Sequence, residues 1–405
     1  MKILQVHKFY YPHRGAESYF FNLIELLEKH GHEVAPFAMA DGKNRPSPYA
    51  DYFTGKLDVS RPDYSLRSIK KIGKIIYNRQ AKADASRLVQ KFRPDIVHVH
   101  NIYHQLSPAV LEAFKEAGLP VVMTVHDFNL ICPNYLLYTH GRICERCQGG
   151  RFYNCLLHRC IKDSIGASAV GAAAAYFNRL ARIYEKNVDL YIAPSQFLKN
   201  KLVEFGFPPE KVVVLPHFVP AAKTPAKGAG KYILYAGALR GNKGVKELIR
   251  AFREVEFDAD LQIAGDGPER VNLEKLVQKL GLTERVKFLG QLARPELTAV
   301  IRHSRLVVVP SLYHEVFGLA ALEALAEGKP VLASSLGALP EVVTGEVGQI
   351  FNPAEKGSLG RSLNWLLSQP NLGAMGEKGW EAVKERYSSA EHYQRLLEIY
   401  KRFKI

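Results

Sequence analysis

No run in this 405-residue sequence is long and apolar enough to cross a bilayer. The longest small-apolar stretch, Ser164 to Phe177 (SIGASAVGAAAAYF), is too short and too weakly hydrophobic. The start, MKILQVHKFYYPH, lacks the layout of a signal peptide, since one lysine leads straight into a strand-like run and then polar residues. The expectation is a cytoplasmic chain, with peripheral contact at the inner face of a membrane left open. Acidic residues are in deficit, 40 against 55 Lys and Arg, for a net charge of +15. Residues 56–93 hold eleven of those cations and three acids. Such a balance suits phosphorylated substrates, anionic lipid or nucleic acid. Cysteine is scarce and local: all five lie between Cys132 and Cys160, whereas a secreted disulfide framework would spread an even number along the chain. With 47% hydrophobic residues the chain can bury more than one core, and its length suits two domains or three.

Short apolar strands alternate with helical patterns throughout. KILQVHKFY, a segment beginning at Glu33, RPDIVHVHN, LPVVMTVHDF, LYIAPS and KVVVLPHFV read as strands of a first half, with a helix ending at Gly31 and another over 111–118. Pro220–Lys231, rich in Pro, Gly and Ala, reads as a linker. The rhythm then restarts with YILYAG, LQIAGDG, VKFLG, RLVVVPS, KPVLASS and VGQIFN. This predicts an α/β chain of two doubly wound, Rossmann-like domains, residues 1–219 and 220–387, with ligands in a cleft between them at the carboxyl ends of strands. The tail, 388–405, reads as an amphipathic helix packing back on the first domain.

The stretch HEVFGLAALEALAEG places Glu315 and Glu323 around an Ala- and Leu-rich helix that is apolar nearly all round. Such a helix should be buried, and buried carboxylates need partners. Gly318 opens the helix, where unpaired backbone N–H groups and the helix dipole favour a phosphate, and Phe317 and Leu319 flank it. Ionised carboxylates accept hydrogen bonds, and sugar hydroxyls donate them. Phosphate at the helix start with a polyol on either side describes a sugar nucleotide: Glu315 at the transferred sugar, Glu323 at the ribose. The alternative is a plain strand–helix junction with salt-bridged glutamates. In YAGALRGNKGVKELI, Gly237 follows a strand, and Arg240 and Lys243 precede the next helix. Two cations there suit a departing diphosphate, although a basic surface loop would look the same.

These motifs resemble those of the retaining nucleotide-sugar glycosyltransferases of the GT-B type, in particular glycosyltransferase family four, over essentially the whole chain. The Glu, seven residues, Glu element is met by Glu315 and Glu323. The Gly-Arg-Leu-x-x-x-Lys-Gly loop is met at Gly237, Leu239, Lys243 and Gly244, with Ala238 where arginine is usual and Arg240 as its substitute. YPHRGAESYFFNLI resembles the family's first glycine loop, with Gly15-Ala16-Glu17 for Gly-Gly-x-Glu. IAGDGPE and VKFLGQL resemble nucleotide-lining turns, the second containing Gly290. TVHDF implies a sugar-contacting His126, which Asp127 could orient. His98 and His100 share a strand face and are expected to line the cleft, with Asn101 a weaker candidate.

The cysteines read C-x11-C-x2-C-x7-C-x4-C. Cys144, Cys147, Cys155 and Cys160 can supply four thiolates for a structural zinc or iron–sulfur cluster, with Cys132 the odd one out; free thiols or local disulfides remain alternatives. Ser65–Ala83 carries Leu66, Ile69, Ile72, Ile75 and Ile76 between lysines, a pattern shared by an interfacial helix for an anionic membrane surface and by a soluble amphipathic helix.

The resemblance implies a retaining hexosyltransferase that moves a sugar from a UDP- or GDP-sugar to a glycan or lipid-linked acceptor in cell-surface polysaccharide or glycolipid assembly. Catalysis would rest on Lys243, Arg240 and the N–H groups near Gly318, with no cofactor required. The rivals are a nucleotide-sugar epimerase or glycan phosphorylase of the same fold, and a basic nucleic-acid-binding protein, which would leave both glutamates without a purpose. No nucleic-acid partner is therefore expected.

Overall fold

The computed structural model describes residues 1–12, 15–58, 66–226 and 230–403, with backbone alone at 66–69. Two compact units result: Met1–Thr139, Cys144–Pro216 and His392–Ile405 form one, His140–Ile143 and His217–Glu391 the other.

The first unit is built on six parallel strands, β1 (Lys2–Val6), β2 (Glu33–Phe37), β3 (Ile96–Val99), β4 (Val121–Thr124), β5 (Leu190–Ala193) and β6 (Val212–Val214). Their order is β2-β1-β3-β4-β5-β6. The strands β3, β4 and β5 are buried along their whole length. This is why they read as continuous apolar runs rather than alternating ones. The helix Gly15–Lys29 follows β1 and buries Tyr19, Phe20, Leu23 and Leu27 at a three-to-four-residue spacing. The C-terminal helix Ser389–Lys401 belongs to this unit from His392 onward. It is held there by the Tyr19 hydroxyl at 3.0 Å from His392 Nε2 and by the Tyr400 hydroxyl at 2.7 Å from His98 Nδ1.

The second unit repeats the plan with β7 (Tyr232–Ala236), β8 (Asp260–Ala264), β9 (Val286–Gly290), β10 (Ser304–Val309), β11 (Val331–Ser334) and β12 (Gly348–Phe351). All pairings are parallel, in the order β9-β8-β7-β10-β11-β12. Alternate residues feed two cores. Ile233, Leu261, Ile263, Leu306 and Val308 pack on one side, with the helices Val245–Phe252 and Ser358–Leu367. Leu234, Val307 and Val309 pack on the other, with the helix Leu319–Ala326. A strand's period of two makes this sorting automatic. The order reverses between β7 and β10, the position at which open sheets of this kind bind ligands.

One expectation is revised. The described part of Pro220–Lys231 is not a loose linker but lies along the second unit, with Ala222 N–H on Ala326 O at 3.0 Å, Ala226 N–H on Glu327 O at 3.0 Å and the Trp380 indole on Ala222 O at 2.8 Å. Its prolines suppress helix and strand while leaving carbonyls and spared N–H groups to bond across. Residues 227–229 fall outside the described residues, as do His13 and Arg14 of the first glycine loop, Ser65, and the side chains of Leu66 and Ile69.

Candidate active site

At the carboxyl ends of β7 and β10 the second unit brings Lys243 onto Glu315. The Lys243 ammonium donates to Glu315 Oε1 at 2.8 Å and to the Tyr313 hydroxyl at 2.9 Å. Ser311 donates to the same Oε1 at 2.6 Å, and Tyr313 to Oε2 at 2.9 Å. Burial alone would push Glu315 toward the neutral acid. The Lys243 charge and the three donors outweigh it and hold the carboxyl below its usual value. The same balance raises Lys243, whose burial is outweighed by Glu315, so both groups are ionised at neutral pH. Two of the three ammonium N–H groups are spent in this ring, which leaves one for an anionic oxygen. The Ser311 and Tyr313 contributions were not anticipated from sequence. Their signal was adjacency, four and two residues before Glu315 on the segment leaving β10.

Glycines make this close packing feasible. Gly244 ends the turn that carries Lys243, at φ +70°, and a Cβ there would sit 1.8 Å from Pro310 O. Gly337, at φ +73°, lets the chain after β11 pair with Glu315; its Cβ would fall 2.3 Å from Glu315 O. Ala338 N–H then bonds Glu315 O at 2.8 Å. Gly237 N–H bonds Ala264 O at 2.9 Å, and Gly265 packs so tightly on Gly237 that a Cβ would meet its carbonyl at 1.9 Å. Gly290 caps β9 with its carbonyl on Gly265 N–H at 2.7 Å. The turns around Gly237, Gly265 and Gly290 thus brace one another.

Gly318 is the residue before the helix Leu319–Ala326, with φ +102°. The Phe317 ring is buried, 5.2 Å from His217, and Leu319 is partly buried, so what either can offer a ligand at this helix start is backbone N–H. The helix is sunk in its core as its composition requires, with Ala321, Leu322, Ala324, Leu325 and Ala326 buried. Glu323, the one charged residue of the helix, is partly exposed, and Arg294 meets it at 3.1 Å. Burial nevertheless raises Glu323, against the pull of Arg294. Both glutamates are therefore met by cations in this structure. Arg294 carried no sequence signal, because it comes from the helix Arg294–His303. Arg240 immediately precedes the short 3-10 turn Gly241–Lys243, and among the described residues its guanidinium has neither an ion pair nor a hydrogen bond. An Asp-x-Asp spacing does occur, at Asp258 and Asp260, but it opens β8, at the other end of that strand from Gly265, and Asp260 is paired with Lys287 at 2.9 Å.

In the first unit His126 follows β4 and accepts or donates a 2.9 Å bond with His100 Nδ1. Burial lowers it to about 3, so it is neutral. His98 and His100 do share a face, stacked at 4.5 Å, but both are fully buried and cannot line a cleft. Instead His98 bridges Tyr400 and Thr124, each at 2.7 Å, and His100 reaches Gln5 at 2.8 Å. Asn101 is likewise buried. Asp127 takes the Asn129 N–H at 2.9 Å; burial raises its carboxyl to about 6. Gly15 is the exposed first residue of its helix, and Glu17 sits buried, 3.7 Å from His7.

The expected ligand set Cys144, Cys147, Cys155 and Cys160 lines one small cavity together with Cys132, all as free thiols. Among the described residues no three His, Cys, Asp or Glu side chains are grouped so that they could hold a metal ion. Thiols kept neutral pack as small apolar groups: burial raises Cys132 to about 11 and Cys147 to about 12, and a hydrogen bond with Cys160, then burial, raises Cys155.

Comparison with known proteins connects these geometries to a family. The profile described as Glycosyltransferase Family 4 matches residues 13–223, and that of Glycosyl transferases group 1 matches residues 221–379. An uncharacterized glycosyltransferase of Methanocaldococcus jannaschii is 42% identical over 123 residues, covering 30% of this chain and 31% of that protein. MMP alpha-(1->4)-mannosyltransferase of Mycolicibacterium hassiacum is 33% identical over 215 residues, 51% of this chain and 52% of that one. The chain thus matches about a third and about half of these two relatives' lengths. Among solved structures, Anabaena Alr3699/HepE in complex with UDP-glucose superimposes with a TM-score of 0.69 at 19% identity, over 98% of this chain and 99% of that one. The fold is GT-B, two parallel-sheet α/β domains.

Proposed function

The chain belongs to glycosyltransferase family 4, and on that premise we propose that it is a retaining hexosyltransferase using a UDP-sugar donor. The observation that carries the reading is the ionised Lys243–Glu315 pair at the reversal point of the second sheet, beside the helix start at Gly318. The structural neighbour solved in complex with UDP-glucose supports the donor class.

In this reading Lys243 and Arg240 face the diphosphate, with the N–H groups at Phe317, Gly318 and Leu319 completing an anion cradle. Gly237 and Gly290 form the wall along the nucleotide. Glu315, held by Lys243, Ser311 and Tyr313, turns its remaining acceptor capacity to the sugar hydroxyls. Glu323 accepts from the ribose hydroxyls, which requires Arg294 to yield one of its contacts. The bond between the anomeric carbon and the β-phosphate oxygen breaks with its electron pair going to the phosphate. The acceptor oxygen bonds the anomeric carbon from the same face and passes its proton to that phosphate. A neutral His126 and the Gly15 turn of the first unit are assigned to sugar and phosphate contacts; His126 can donate or accept a hydrogen bond but is no acid at pH 7. The acceptor class proposed is a glycan or lipid-linked sugar of cell-surface polysaccharide assembly.

The test is thermal-shift binding of UDP-, GDP-, ADP- and TDP-sugars to wild type and Glu323→Ala, followed by NMR of the anomeric configuration of the product. UDP-sugars should stabilise the wild type, with affinity falling roughly ten- to a hundredfold in the variant, the worth of a charge-assisted hydrogen bond. Conversion of the donor with no acceptor present would make the chain an epimerase instead. Binding of nucleic acid with a steep salt dependence, and of no nucleotide sugar, would end the transferase reading.

A further inference from the structure

Seven of the eleven large apolar side chains that stand exposed among the described residues come from three helices of the first unit. These helices, Leu66–Ile76, Tyr153–Leu157 and Ile165–Leu180, pack on one another. Leu180 is 81% exposed, Leu157 67% and Ile165 55%. At about 100° per residue, Ile165, Phe177 and Leu180 fall within roughly a third of a turn of their helix, so they crown one face. Ile72 stands on the neighbouring helix, and the Tyr77 ring just beyond its end meets Phe177 edge-on at 6.0 Å. An apolar patch of this extent is a docking surface rather than ordinary exposure.

Charge selects the partner. Lys70, Lys74, Arg159, Lys162 and Arg179 are exposed on or beside these helices, while Arg182 next to them is already paired with Glu185. The helix Leu66–Ile76 holds four cations and no acid, and residues 146–182 hold six cations and one acid, Asp163. A second copy of the chain would press the same positive face against itself, and a soluble apolar partner would leave the cations unused. An anionic surface that also admits apolar side chains answers both.

Beside the patch lies a cavity of about 320 Å³ with Ile75, Ile131, Phe152, Asn178, Arg179 and Tyr184 in its wall. Asn178 Oδ1 and the Tyr184 hydroxyl are buried there without a hydrogen-bond partner. Such atoms are costly unless something meets them. The small residues Gly171, Ala174 and Ala175 leave the space open, and the Arg179 guanidinium lies against Gly150, where a Cβ would fall 1.6 Å from Nη1.

We propose that this face rests on an anionic lipid bilayer, with Leu157, Phe177 and Leu180 inserted among the lipids and one lipid headgroup seated in the cavity, its phosphate on Arg179 and a headgroup hydroxyl donating to Asn178 Oδ1. The inference is independent of the donor chemistry above. It concerns a surface of the first unit only, so either can fail alone.

The experiment is co-flotation of the full chain with vesicles of phosphatidylcholine alone or with about one third phosphatidylglycerol, at low and high salt. The chain should float with the phosphatidylglycerol vesicles and not with phosphatidylcholine, and less at high salt. The variant Leu157→Ser/Phe177→Ser/Leu180→Ser should lower partitioning at least about tenfold while its melting temperature stays close to wild type, because all three side chains are exposed. Leu180→Trp supplies a reporter in that face: its fluorescence should be quenched by brominated lipid. Asn178→Leu should reduce the preference for phosphatidylglycerol over phosphatidic acid, which lacks the hydroxyl. Inorganic phosphate at millimolar concentration should not displace the vesicles. Equal binding to both vesicle types, or a triple variant that floats like wild type, would overturn the proposal. So would a Leu180→Trp reporter that stays unquenched, or wild-type dimers in light scattering that the triple variant abolishes.

Discussion

Replacing Lys243 by methionine removes a cation of similar length and leaves Glu315 in place. The Glu315 side chain is only 11% exposed and that of Lys243 26%, so the carboxylate loses its counter-charge where water reaches it poorly. Removing one partner of a buried pair costs about 3–5 kcal/mol. Ser311 and Tyr313 still donate to the carboxylate, which argues for the lower end, about 3 kcal/mol. The pH dependence carries the sharper prediction. In the wild type Glu315 is held below its unfolded value, so its contribution is complete above that value and is lost as pH falls through the folded one. In the variant only the Ser311 and Tyr313 hydrogen bonds oppose burial, the largest influence on Glu315, and burial raises the carboxyl above its unfolded value. The variant's deficit should then be greatest near pH 8 and should shrink as acid neutralises Glu315, by up to about 1.4 kcal/mol per pH unit. Denaturant unfolding at several pH values measures this, and Lys243→Met/Glu315→Gln should recover most of the loss. A deficit that is constant between pH 5 and 8, or a double variant no better than the single, would refute the argument that the pair is buried and mutually charged.

Gly337→Ala should destabilise by roughly 2–5 kcal/mol and weaken donor binding, because its Cβ would collide with the Glu315 backbone at a positive φ; Gly345→Ala, in open space, is the near-neutral control, and circular-dichroism melts compare them. His98, His126 and His392 are each lowered by burial to about 3, against about 6.5 unfolded, so they hold stability above pH 6.5 and lose it as pH falls toward 3. Together they should remove up to about 4 kcal/mol per pH unit below 6.5, and His98→Asn should flatten the dependence measured by denaturant midpoints. Cys132 and Cys147, raised to about 11 and about 12, should react with iodoacetamide at pH 8 far more slowly in the native chain than after unfolding, read by mass spectrometry of the labelled peptides.

The sheets were legible because each strand is a run of the right length bounded by proline, glycine or a charged turn, and parallel strands carry little else. Every strand of both six-stranded sheets coincides with an apolar run singled out from sequence, except β2, of which only the start at Glu33 is read. What sequence could not supply was the fate of residues whose partners are remote. His98 and His100 alternate along β3, which correctly places them on one face. Only the C-terminal helix, about three hundred residues later, decides that this face is closed, since Tyr400 covers His98. Pro220–Lys231 has a linker's composition, but its bonds go to Ala326 and Glu327 a hundred residues away.

The candidate site divides along the same line. Glu315, Gly318, Glu323, Gly237 and Lys243 announce themselves because each belongs to a local pattern whose spacing has a physical meaning. Tyr313 and Ser311 belong to one of those patterns too and could have been read with it. Arg294 and Gly337 could not, because each acts through a contact made by a separate element, Arg294 on Glu323 and Gly337 beneath Glu315. These two remote residues control opposite properties of the glutamates. Gly337, by admitting the Glu315 backbone, fixes the segment from which that carboxylate reaches Lys243, Ser311 and Tyr313. Arg294, itself half exposed, holds Glu323 by a contact that water weakens and a ligand hydroxyl can displace. A fixed acceptor at the first position and an exchangeable one at the second are what a site needs if it is to orient one end of a donor firmly and still release the other.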